Sequence, residues 1–533
     1  MKKKRHETAI AVPCLKFGPY IFGVNNKTTV RTAPILAYQP ALRPALPCVY
    51  GPVEFREYSA LLVTIDGLLL AGGLESAFVR LAAEEHAAAL VGASAKACAT
   101  FARTSALALR CNLAREITGL AYREFAIRVA ESSLLQWFLR LGEVDRVKAP
   151  GKSTLERFNQ WVSAATQRAF HRHVVTAATT PASASAPQPL ALLTPVDATE
   201  VFFDSTCLKA NLHFPVDWVL LRDAARTLMK SVALIRNAGL KQRMPQEPLR
   251  FLSDMNKLTM AMSALGRRPD AKKQRKRTLR QMKTLENTIA RHAQTHRDLL
   301  AAHWAETELS EKEAQVILRR LDQVLTQLPA AIAQAHERII GERPVPHAEK
   351  IFSLYDDEVS LIKRGKAGAD VEFGNKFWLG EARCGFILDY ELLATAPADT
   401  TLVLPAVIRL YEEMPLALQS VWGDRGLFSQ ANETELTQRK IKSGLCPRDP
   451  AELQKRLQTD GTFRAGLQRR GGTEARIAIF KHQFAGSPCR GKTFAARERI
   501  VGWAVLAHNL WVLARIKRRQ DRAAAEVATA QAA

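Results

Sequence analysis

The stretch EVFFDSTCL, residues 200 to 208, is a short apolar run interrupted by one acid, Asp204. An apolar run of this length between helical segments is typical of a strand that is buried on both faces. We therefore expect VFFD to be a buried strand ending at Asp204, where it would hold a carboxylate rigidly at the rim of a sheet. The run QSVWGDRGL, residues 419 to 427, has the same form and ends at Asp424. A turn aspartate or a helix cap would explain either acid taken alone.

The segments around these two runs alternate between strand-like and helical patterns. Residues 372–382 (EFGNKFWLGEA) and 384–394 (CGFILDYELLA) predict two strands, and residues 401–414 predict a helix. Residues 493–522 predict a final amphipathic helix with a basic end. The expected order is strand, helical insertion, two strands, helix, strand and helix. This order indicates the α/β class, with a mixed sheet.

A long helical insertion separates the first predicted strand from the second. Two segments of it carry stripes at the 3-4 spacing of a coiled-coil face: Ala314, Ile317, Leu321, Val324 and Leu328, ending at Pro329, and Met282, Leu285, Ile289, His292, His296, Leu299 and His303. The stripes predict an antiparallel helical hairpin joined near residues 307–314. Histidines four residues apart can share a metal ion, but a polar seam that sets the register of the hairpin explains them more simply.

An all-helical domain precedes the α/β core. Ser153 and Glu156 form a capping box, which predicts one helix from Ser153 through ERFNQWVSAATQRAFHRH. The predicted divisions of the chain are a proline-rich irregular arm at 1–56, the helical domain at 57–175, a linker at 176–195, the core at 196–215 and 345–515, the coiled-coil-like insertion at 216–344, and a basic, alanine-rich tail at 516–533.

The chain is strongly basic, with 76 Lys and Arg against 52 Asp and Glu, a formal charge of +24. Such a charge indicates polyanionic partners, of which nucleic acid is the leading candidate. A membrane is a weak alternative, because the most apolar stretch, residues 60–74, is too short to span and contains Asp66. The eight cysteines form no CxxC pair, which is typical of a reduced cytoplasmic protein without a zinc finger.

A third acid, Glu474, stands inside the basic run RRGGTEARIAIFK, residues 469 to 481. A solvated ion-pair partner would explain it alone. Together with Asp204 and Asp424, however, it suggests a cluster of carboxylates that shares two hard divalent cations, as in nucleases and polymerases. Without a cation, convergent acids would repel each other, by about 4 kcal/mol per pair at ~4 Å and an effective dielectric near 20.

The order of these motifs resembles the bacterial insertion-sequence transposases of the DDE, RNase H-like superfamily. The resemblance lies in DST at 204–206, GDRG at 423–426, and the spacing R-x3-E-x6-K at Arg470, Glu474 and Lys481. Leu467 stands where the fuller signature of the family has a tyrosine. Three flanking segments are also similar to the family: Gly374-Asn375-Lys376, residues 503–513 and residues 117–141.

The resemblance implies an RNase H-like core in which Asp204, Asp424 and Glu474 bind two Mg²⁺ or Mn²⁺ ions and catalyse DNA cleavage and strand transfer. It implies double-stranded DNA partners, both the inverted-repeat ends of the element and a target, and a homodimer or larger assembly associated with the nucleoid. The expected DNA contacts are Arg470, Lys481, Lys376, Arg476, Lys152 and Arg157. The run at 267–283, with nine basic residues and one acid, is either a solvated face or a further phosphate contact.

Two other functions remain open from the residues alone. The first is a transposase-derived DNA-binding protein without catalysis, which the intact acidic trio disfavours. The second is a P-loop ATPase, because GSPCRGKT at 486–493 matches the pattern G-x4-G-K-[ST] and follows IAIF, a possible strand. Only 40 residues follow Thr493, too few for the later strands of a nucleotide-binding sheet.

Overall fold

The protein is described by a computed structural model that covers residue 38 and residues 45–46, 49–142, 146–266, 269–346, 349–366 and 369–532. Most of the predicted arm at 1–56 lies outside these residues. The chain divides into two compact units. One contains the chain up to Asp197 together with the residues from Gly502 onward, and the other runs from Ala198 to Val501.

The described residues form α-helices and one mixed sheet. The helices are α1 (Val53–Ala71), α2 (Leu74–Glu85), α3 (Ala87–Leu90), α4 (Ala95–Thr118), α5 (Tyr122–Glu131), α6 (Ser133–Leu139), α7 (Lys152–Asn159), α8 (Ala164–Thr179), α9 (Asp217–Asn237), α10 (Pro248–Ala264), α11 (Ala271–His303), α12 (Glu311–Ala335), α13 (Val403–Ile408), α14 (Gln430–Gln438), α15 (Pro450–Thr459), α16 (Gly461–Ile479) and α17 (Phe494–Ala532). The strands are β1 (Glu200–Lys209), β2 (Ser360–Lys366), β3 (Ala369–Glu381), β4 (Ile387–Leu393), β5 (Ser420–Gly423) and β6 (Lys442–Leu445).

The first unit is helical and is organised around one buried arginine. The guanidinium of Arg110 donates to the carboxylates of Glu75 at 2.6 Å and Asp66 at 2.8 Å, and to the carbonyl of Phe138 at 2.7 Å. Asp66, the acid inside the apolar stretch 60–74, is therefore an internal ion-pair partner. Among the described helices, none alone is long and apolar enough to cross a membrane; α1 and α2 pass that test only as a pair, bent by 63°.

The single helix predicted from Ser153 is two helices. Gly151, and not Ser153, is the N-cap of α7, and the chain leaves the helical path before Ser163. The side chain of Ser163 caps α8 by accepting from the amide of Thr166, while Glu85 accepts from the amide of Ser163 at 3.0 Å. These bonds satisfy the free amides of a new helix start, which a continuous helix would not require.

Two segments that the composition makes look unstructured are packed in the first unit. Within the expected linker at 176–195, Leu190 is fully buried, and the side-chain oxygen of Gln188 accepts from the amides of Leu190 and Leu192. Within the expected tail at 516–533, helix α17 continues to Ala532, and Gln520 bonds to the backbone of residues 193 and 194. Small residues dominate both segments, so composition alone hides the few apolar and amide side chains that anchor them.

The second unit contains a mixed sheet with β1 at its centre. β1 pairs antiparallel with β3 on one edge, where Asp204 is opposite Leu379, and parallel with β5 on the other, where Phe202 is opposite Trp422. β5 pairs parallel with β6, and β3 pairs antiparallel with both β2 and β4. The path β2-β3-β1-β5-β6, with β4 as a further partner of β3, is thus antiparallel on one side of β1 and parallel on the other. The predicted α/β class with a mixed sheet is confirmed.

The expectation that β1 ends at Asp204 is wrong. β1 continues to Lys209, so Asp204 lies at the middle of the strand, opposite Leu379 of β3 and two residues beyond the last pair with β5. The residues after the acid keep pairing with β3, and Cys207 and Leu208 are buried, which extends the strand. The expectation for Asp424 is confirmed, because it directly follows β5.

The helical insertion has its own hydrophobic core, built from α9, α10, α11 and α12. The predicted hairpin is confirmed: α11 and α12 flank the turn, and Ser310 and Glu313 form a capping box at the start of α12. Pro329, where the stripe from Ala314 to Leu328 was expected to end, does not end the helix, since α12 continues to Ala335. The two ends of the insertion are joined at Asp217, the first residue of α9, which accepts from Gln334 at 2.9 Å and Arg338 at 2.8 Å.

One carboxylate in this core has no partner. Glu286 on α11 is 0% exposed, and neither of its oxygens has a hydrogen-bond partner. Burial raises the pKa of Glu286 well above its usual range, because an apolar environment disfavours the charged form. At a pH between the pKa of Glu286 in the unfolded chain and its higher pKa in the folded protein, the folded protein therefore keeps a proton on Glu286 that the unfolded chain releases.

We expect Glu286→Met to stabilise the protein, by about 1–3 kcal/mol at neutral pH, because it replaces an unpaired buried polar group with an apolar one. Since the pKa of Glu286 is raised in the folded state, wild-type stability must fall as pH rises above the ordinary glutamate range. The gain from the substitution should therefore grow with pH, as measured by denaturant unfolding at mildly acidic and mildly alkaline pH. The exposed Glu308→Met is the control, and an equal gain at all pH values would contradict the prediction.

Candidate functional site

The three predicted acids converge on one arginine. An Nη2 atom of Arg470 lies 3.7 Å from an oxygen of Asp204, 3.7 Å from an oxygen of Asp424 and 3.9 Å from an oxygen of Glu474. Atoms that lie within 3.9 Å of the same nitrogen are less than ~8 Å from one another. The sequence separates these acids widely, so the fold brings them together.

Backbone bonds orient the two aspartates. Oδ1 of Asp204 accepts from the amide of Ser205 at 2.8 Å. Oδ1 of Asp424 accepts from the amides of Gly426 at 2.9 Å and Leu427 at 3.2 Å, as in an aspartate turn. In both residues the other oxygen, Oδ2, is the one nearest to Arg470. Each carboxylate is therefore held by one oxygen and presents the other to a shared point.

Helix α16 supplies Arg470 and Glu474 one turn apart on the same face. The helix lies close to the sheet because Gly466 faces the indole of Trp422 on β5; a Cβ at that position would come within 2.1 Å of the ring. Leu467, at the position of the family's tyrosine, packs against the cluster of Phe202, Trp422 and Phe463. Position 467 thus contributes packing between α16 and the sheet.

The electrostatics of the site show that the three acids interact. The pKa of Asp204 is raised to about 6, chiefly by burial, with the charges of Asp424 and Glu474 adding to the shift and that of Arg470 opposing it. The side chains of Asp424 and Glu474 are more open to solvent, at 40% and 60% exposure. Nε of Arg470 is buried and has no hydrogen-bond partner among the described residues, and its Nη2 lies among the three acids.

The donor set suits a hard divalent cation. All three residues offer carboxylate oxygens, which Mg²⁺ and Mn²⁺ prefer, and a cationic nitrogen already lies at the point they share. Their oxygens lie 3.7–3.9 Å from Nη2 of Arg470, farther than the ~2.0–2.6 Å at which carboxylate oxygens bind a single Mg²⁺ or Ca²⁺ ion. A tighter group, with oxygens within 4.8 Å of one another, occurs at Asp356, Asp357 and Glu358 among the described residues, and it could hold a metal ion.

That tighter group has structural partners of its own. Asp356 forms an ion pair with the fully buried Arg497, and Glu358 accepts from the amide of Phe494 at 3.1 Å. These bonds connect the segment before β2 to the start of α17. A structural role therefore accounts for two of its three acids, and we centre the candidate site on Asp204.

A fourth acid, which the sequence does not indicate, lies next to the site. Asp399 accepts from the hydroxyl of Ser205, the neighbour of Asp204, at 2.9 Å, and from Nζ of Lys376 at 2.7 Å. Asp399 belongs to the short turn Asp399–Thr401 after β4, in a segment without a motif. Only the fold could have revealed it. Lys376 bonds in addition to the carbonyl of Pro397, so its ammonium is engaged within the protein.

The other predicted DNA contacts have different positions. Lys481 lies near the acids, with Nζ 3.4 Å from the hydroxyl of Thr206. Arg476 lies on another face of α16 and bonds to Glu381 at 3.1 Å. Lys152 and Arg157 are both on α7 in the first unit, where Lys152 pairs with Glu156 at 3.4 Å.

The two competing motifs lack the structures they need. The residues before GSPCRGKT belong to α16 and its π-helical continuation Phe480–Ala485, so the strand of a P-loop is absent from this part of the described chain. In the histidine stripe, Nδ1 of His296 bonds to the carbonyl of His292, and His303 pairs with Glu306. These histidines therefore bond to residues close to them in the chain.

Comparison of the chain with protein-family models, with curated proteins and with solved structures gave no match. The case for a function therefore depends on the geometry of the site and on the motifs that led to it.

We expect Arg470→Gln to destabilise the protein by roughly 1 kcal/mol, because it leaves three carboxylates near one another without a neutralising charge at a partly exposed site. MnCl₂ should then raise the melting temperature of the variant more than that of the wild type, since a bound cation stabilises the folded state. Thermal unfolding with and without Mn²⁺ measures both effects. Arg464→Gln, on the same helix but bonded to the carbonyl of Leu457, is the control; an equal response of both variants to Mn²⁺ would contradict the prediction.

Proposed function

We propose that the protein is a DNA transposase of the DDE, RNase H-like type, which cleaves the ends of its element and joins them to target DNA. The observation that carries this proposal is the convergence of Asp204, Asp424 and Glu474 around one cationic point. Each acid comes from a different element: the central strand, the end of the adjacent parallel strand, and a helix packed on both. A shared set of carboxylates on a rigid sheet is what metal-dependent phosphodiester chemistry requires.

The order of the strands supports an RNase H-like core. Within the six-stranded sheet, β4, β3 and β1 pair antiparallel in succession, and β1, β5 and β6 pair parallel. We take this change from antiparallel to parallel pairing at β1 as support for an RNase H-like core. In that proposal Asp204, on the central strand, is the first catalytic acid, and Asp424, after the neighbouring parallel strand, is the second.

In this proposal, the carboxylates of Asp204, Asp424 and Glu474 would hold two Mg²⁺ or Mn²⁺ ions. When bound, the ions supply activation of a water or 3′-hydroxyl nucleophile and stabilisation of the leaving oxygen. The backbone bonds to Oδ1 of each aspartate fix the ligands before DNA binds. Arg470 and Lys481, on the same side of the site, would contact the phosphates next to the scissile bond.

The charge of the protein supports DNA as the substrate. The formal charge is +24, and α11 presents exposed basic side chains at Lys273, Arg277, Arg280 and Arg291. Two other basic residues of the same run, Lys272 and Lys276, share one acid, Glu342, which offsets part of their charge. The exposed set lies along one rigid helix, which suits phosphates spaced along a duplex. Because two ends must be handled together, we propose that a homodimer or larger assembly is the active form.

The decisive test is Asp424→Asn. Cleavage should fall by ~10³-fold or more because the variant loses a metal-binding charge, while DNA binding should remain. The substrate is a supercoiled plasmid that carries the DNA flanking the coding sequence, with Mg²⁺ or Mn²⁺ added, and nicking and binding are measured on the same preparation. Asp254→Asn on α10, an exposed acid paired with Lys257, is the control. Full cleavage by Asp424→Asn would eliminate the proposed triad.

A second experiment tests the basic face of α11. Changing Lys273, Arg277 and Arg280 together to Gln should weaken DNA binding for all sequences and reduce the slope of log affinity against log salt by about 3. Fluorescence anisotropy over a series of salt concentrations measures the slope. The charge-matched control changes Lys312, Arg319 and Arg320, exposed on α12. An unchanged slope in the α11 variant would exclude this face from the DNA interface.

A further inference from the structure

Helix α16 uses two faces for two different tasks. Arg470 and Glu474 face the acids of β1 and β5, whereas Arg469, Thr473 and Arg476 face the end of β3. The second set converges on one residue, Glu381, the last residue of β3. None of the motifs in the sequence indicates a role for Glu381.

Glu381 is almost completely buried, with 1% of its surface exposed. One of its oxygens, Oε1, accepts three hydrogen bonds: from Thr473 at 2.9 Å, from Arg469 at 3.0 Å and from Arg476 at 3.1 Å. The three donors span two turns of α16. A single buried acceptor for three donors of one helix fixes both the rotation of that helix and its position along its axis.

Further contacts hold the same junction. Arg469 also donates to the backbone carbonyls of Ala382 at 3.2 Å and Arg383 at 2.8 Å, and its guanidinium lies 4.6 Å from the ring centre of Phe202. Phe202 is on β1, two residues before Asp204. The junction therefore connects α16 to the strand that carries the first acid and to the strand paired with it.

The contacts that Arg470 and Glu474 make with the acids cannot hold α16 in place by themselves. Its contacts to the acids are 3.7–3.9 Å long, beyond the range of hydrogen bonds, and Glu474 is repelled by the two aspartates. A slip of one residue would shift the helix by about 1.5 Å and turn it by about 100°, which would remove Glu474 from the site. The apolar packing of Leu467 and Gly466 holds α16 on the sheet, and the bonds to Glu381 add a directional anchor that opposes that repulsion.

We propose that Glu381 is a positioning residue: by holding Arg469, Thr473 and Arg476, it fixes the rotation of α16 that places Glu474 and Arg470 against Asp204. The inference deepens the proposed function and depends on it. Glu381 does not touch the reacting atoms, so it acts through the geometry of the metal ligands, and it makes no contact with the basic face of α11.

The test compares Glu381→Ala and Glu381→Gln with the wild type. Mn²⁺ affinity is measured without DNA, from the electron paramagnetic resonance signal of free Mn²⁺, and cleavage is measured as kcat and KM. We expect Glu381→Ala to weaken Mn²⁺ binding and lower kcat by about tenfold to a hundredfold, as changes behind metal ligands do, with a smaller change in KM for DNA, because the basic face of α11 is left intact. Glu381→Gln keeps an acceptor for the three donors and should restore most of the affinity.

Two further variants control for a general loss of stability. Asp389→Asn removes another buried carboxylate of the same sheet, one that is bonded to Arg409 at 2.8 and 3.0 Å and not to α16. It should lower the melting temperature without changing Mn²⁺ affinity. Thr473→Val removes one of the three donors with little change in shape, and should give a smaller loss of Mn²⁺ affinity than Glu381→Ala.

The outcomes separate this inference from the proposed function. If Mn²⁺ binding by the wild type is lost in Asp424→Asn but folded Glu381→Ala binds Mn²⁺ as the wild type does, the positioning role is wrong and the triad stands. If Glu381→Gln loses as much Mn²⁺ affinity as Glu381→Ala, the proposed role of Glu381 as a hydrogen-bond acceptor is wrong. If wild type and Asp424→Asn bind Mn²⁺ equally, the metal site itself fails, and the inference fails with it.

Discussion

The arrangement of the second unit depends on the pairing of β1 along both of its edges. Antiparallel pairing with β3 and parallel pairing with β5 bury β1 at the centre of the sheet, and Asp204 follows the last pair with β5 while its backbone remains paired with β3. The parallel partner then delivers Asp424 at its own end. On the face of the sheet, Phe202 and Trp422 stack from adjacent strands, and α16 approaches them where Gly466 leaves room for the indole. The two aspartates therefore derive their positions from the pairing of β1, and Glu474 derives its position from the helix that packs on the sheet.

The charges of the site are arranged in two layers. In the inner layer, Arg470 lies among three carboxylates at distances that allow attraction without specific bonding. In the outer layer, the buried acid Glu381 forms short bonds with Arg469, Arg476 and Thr473. Burial raises the pKa of Glu381 to about 7, while Arg476 and Thr473 favour its charged form. The same helix thus carries one loosely held face, suited to exchange with other cations, and one tightly bonded face.

Much of this site could be predicted from the sequence, and the reasons differ by element. Asp424 and the helix carrying Glu474 follow from an apolar run and from residue spacing, which are local signals. The extent of β1 beyond Asp204 was missed because its later residues pair through the backbone with β3, and pairing leaves little trace in composition. β6 was missed for a similar reason: it is four residues long, and Gly444 is there to accommodate Trp422.

Asp399 and Glu381 could not have been found from local patterns. Asp399 lies in a turn and contacts the site through the hydroxyl of Ser205. Glu381 is the last residue of a strand, and in the sequence it cannot be told from an exposed acid at a strand end. Their roles depend on which side chains the fold places opposite them. Pattern reasoning identifies residues that contact a ligand when a motif surrounds them, whereas residues that hold those ligands in place require the tertiary structure.

The bonds at Asp217 have a consequence for how the sheet forms. The strands β1 and β3 are direct neighbours in the sheet, yet Phe202 pairs with Glu381 across the whole helical insertion, a contact of high sequence separation. Pairing such distant strands costs loop-closure entropy and slows folding. Gln334 and Arg338 bring the end of the insertion back to Asp217 at its start, and the insertion has a core of its own. Once those four helices have folded, β1 and β3 meet as if joined by a short connection, and the length of the insertion no longer matters to the sheet.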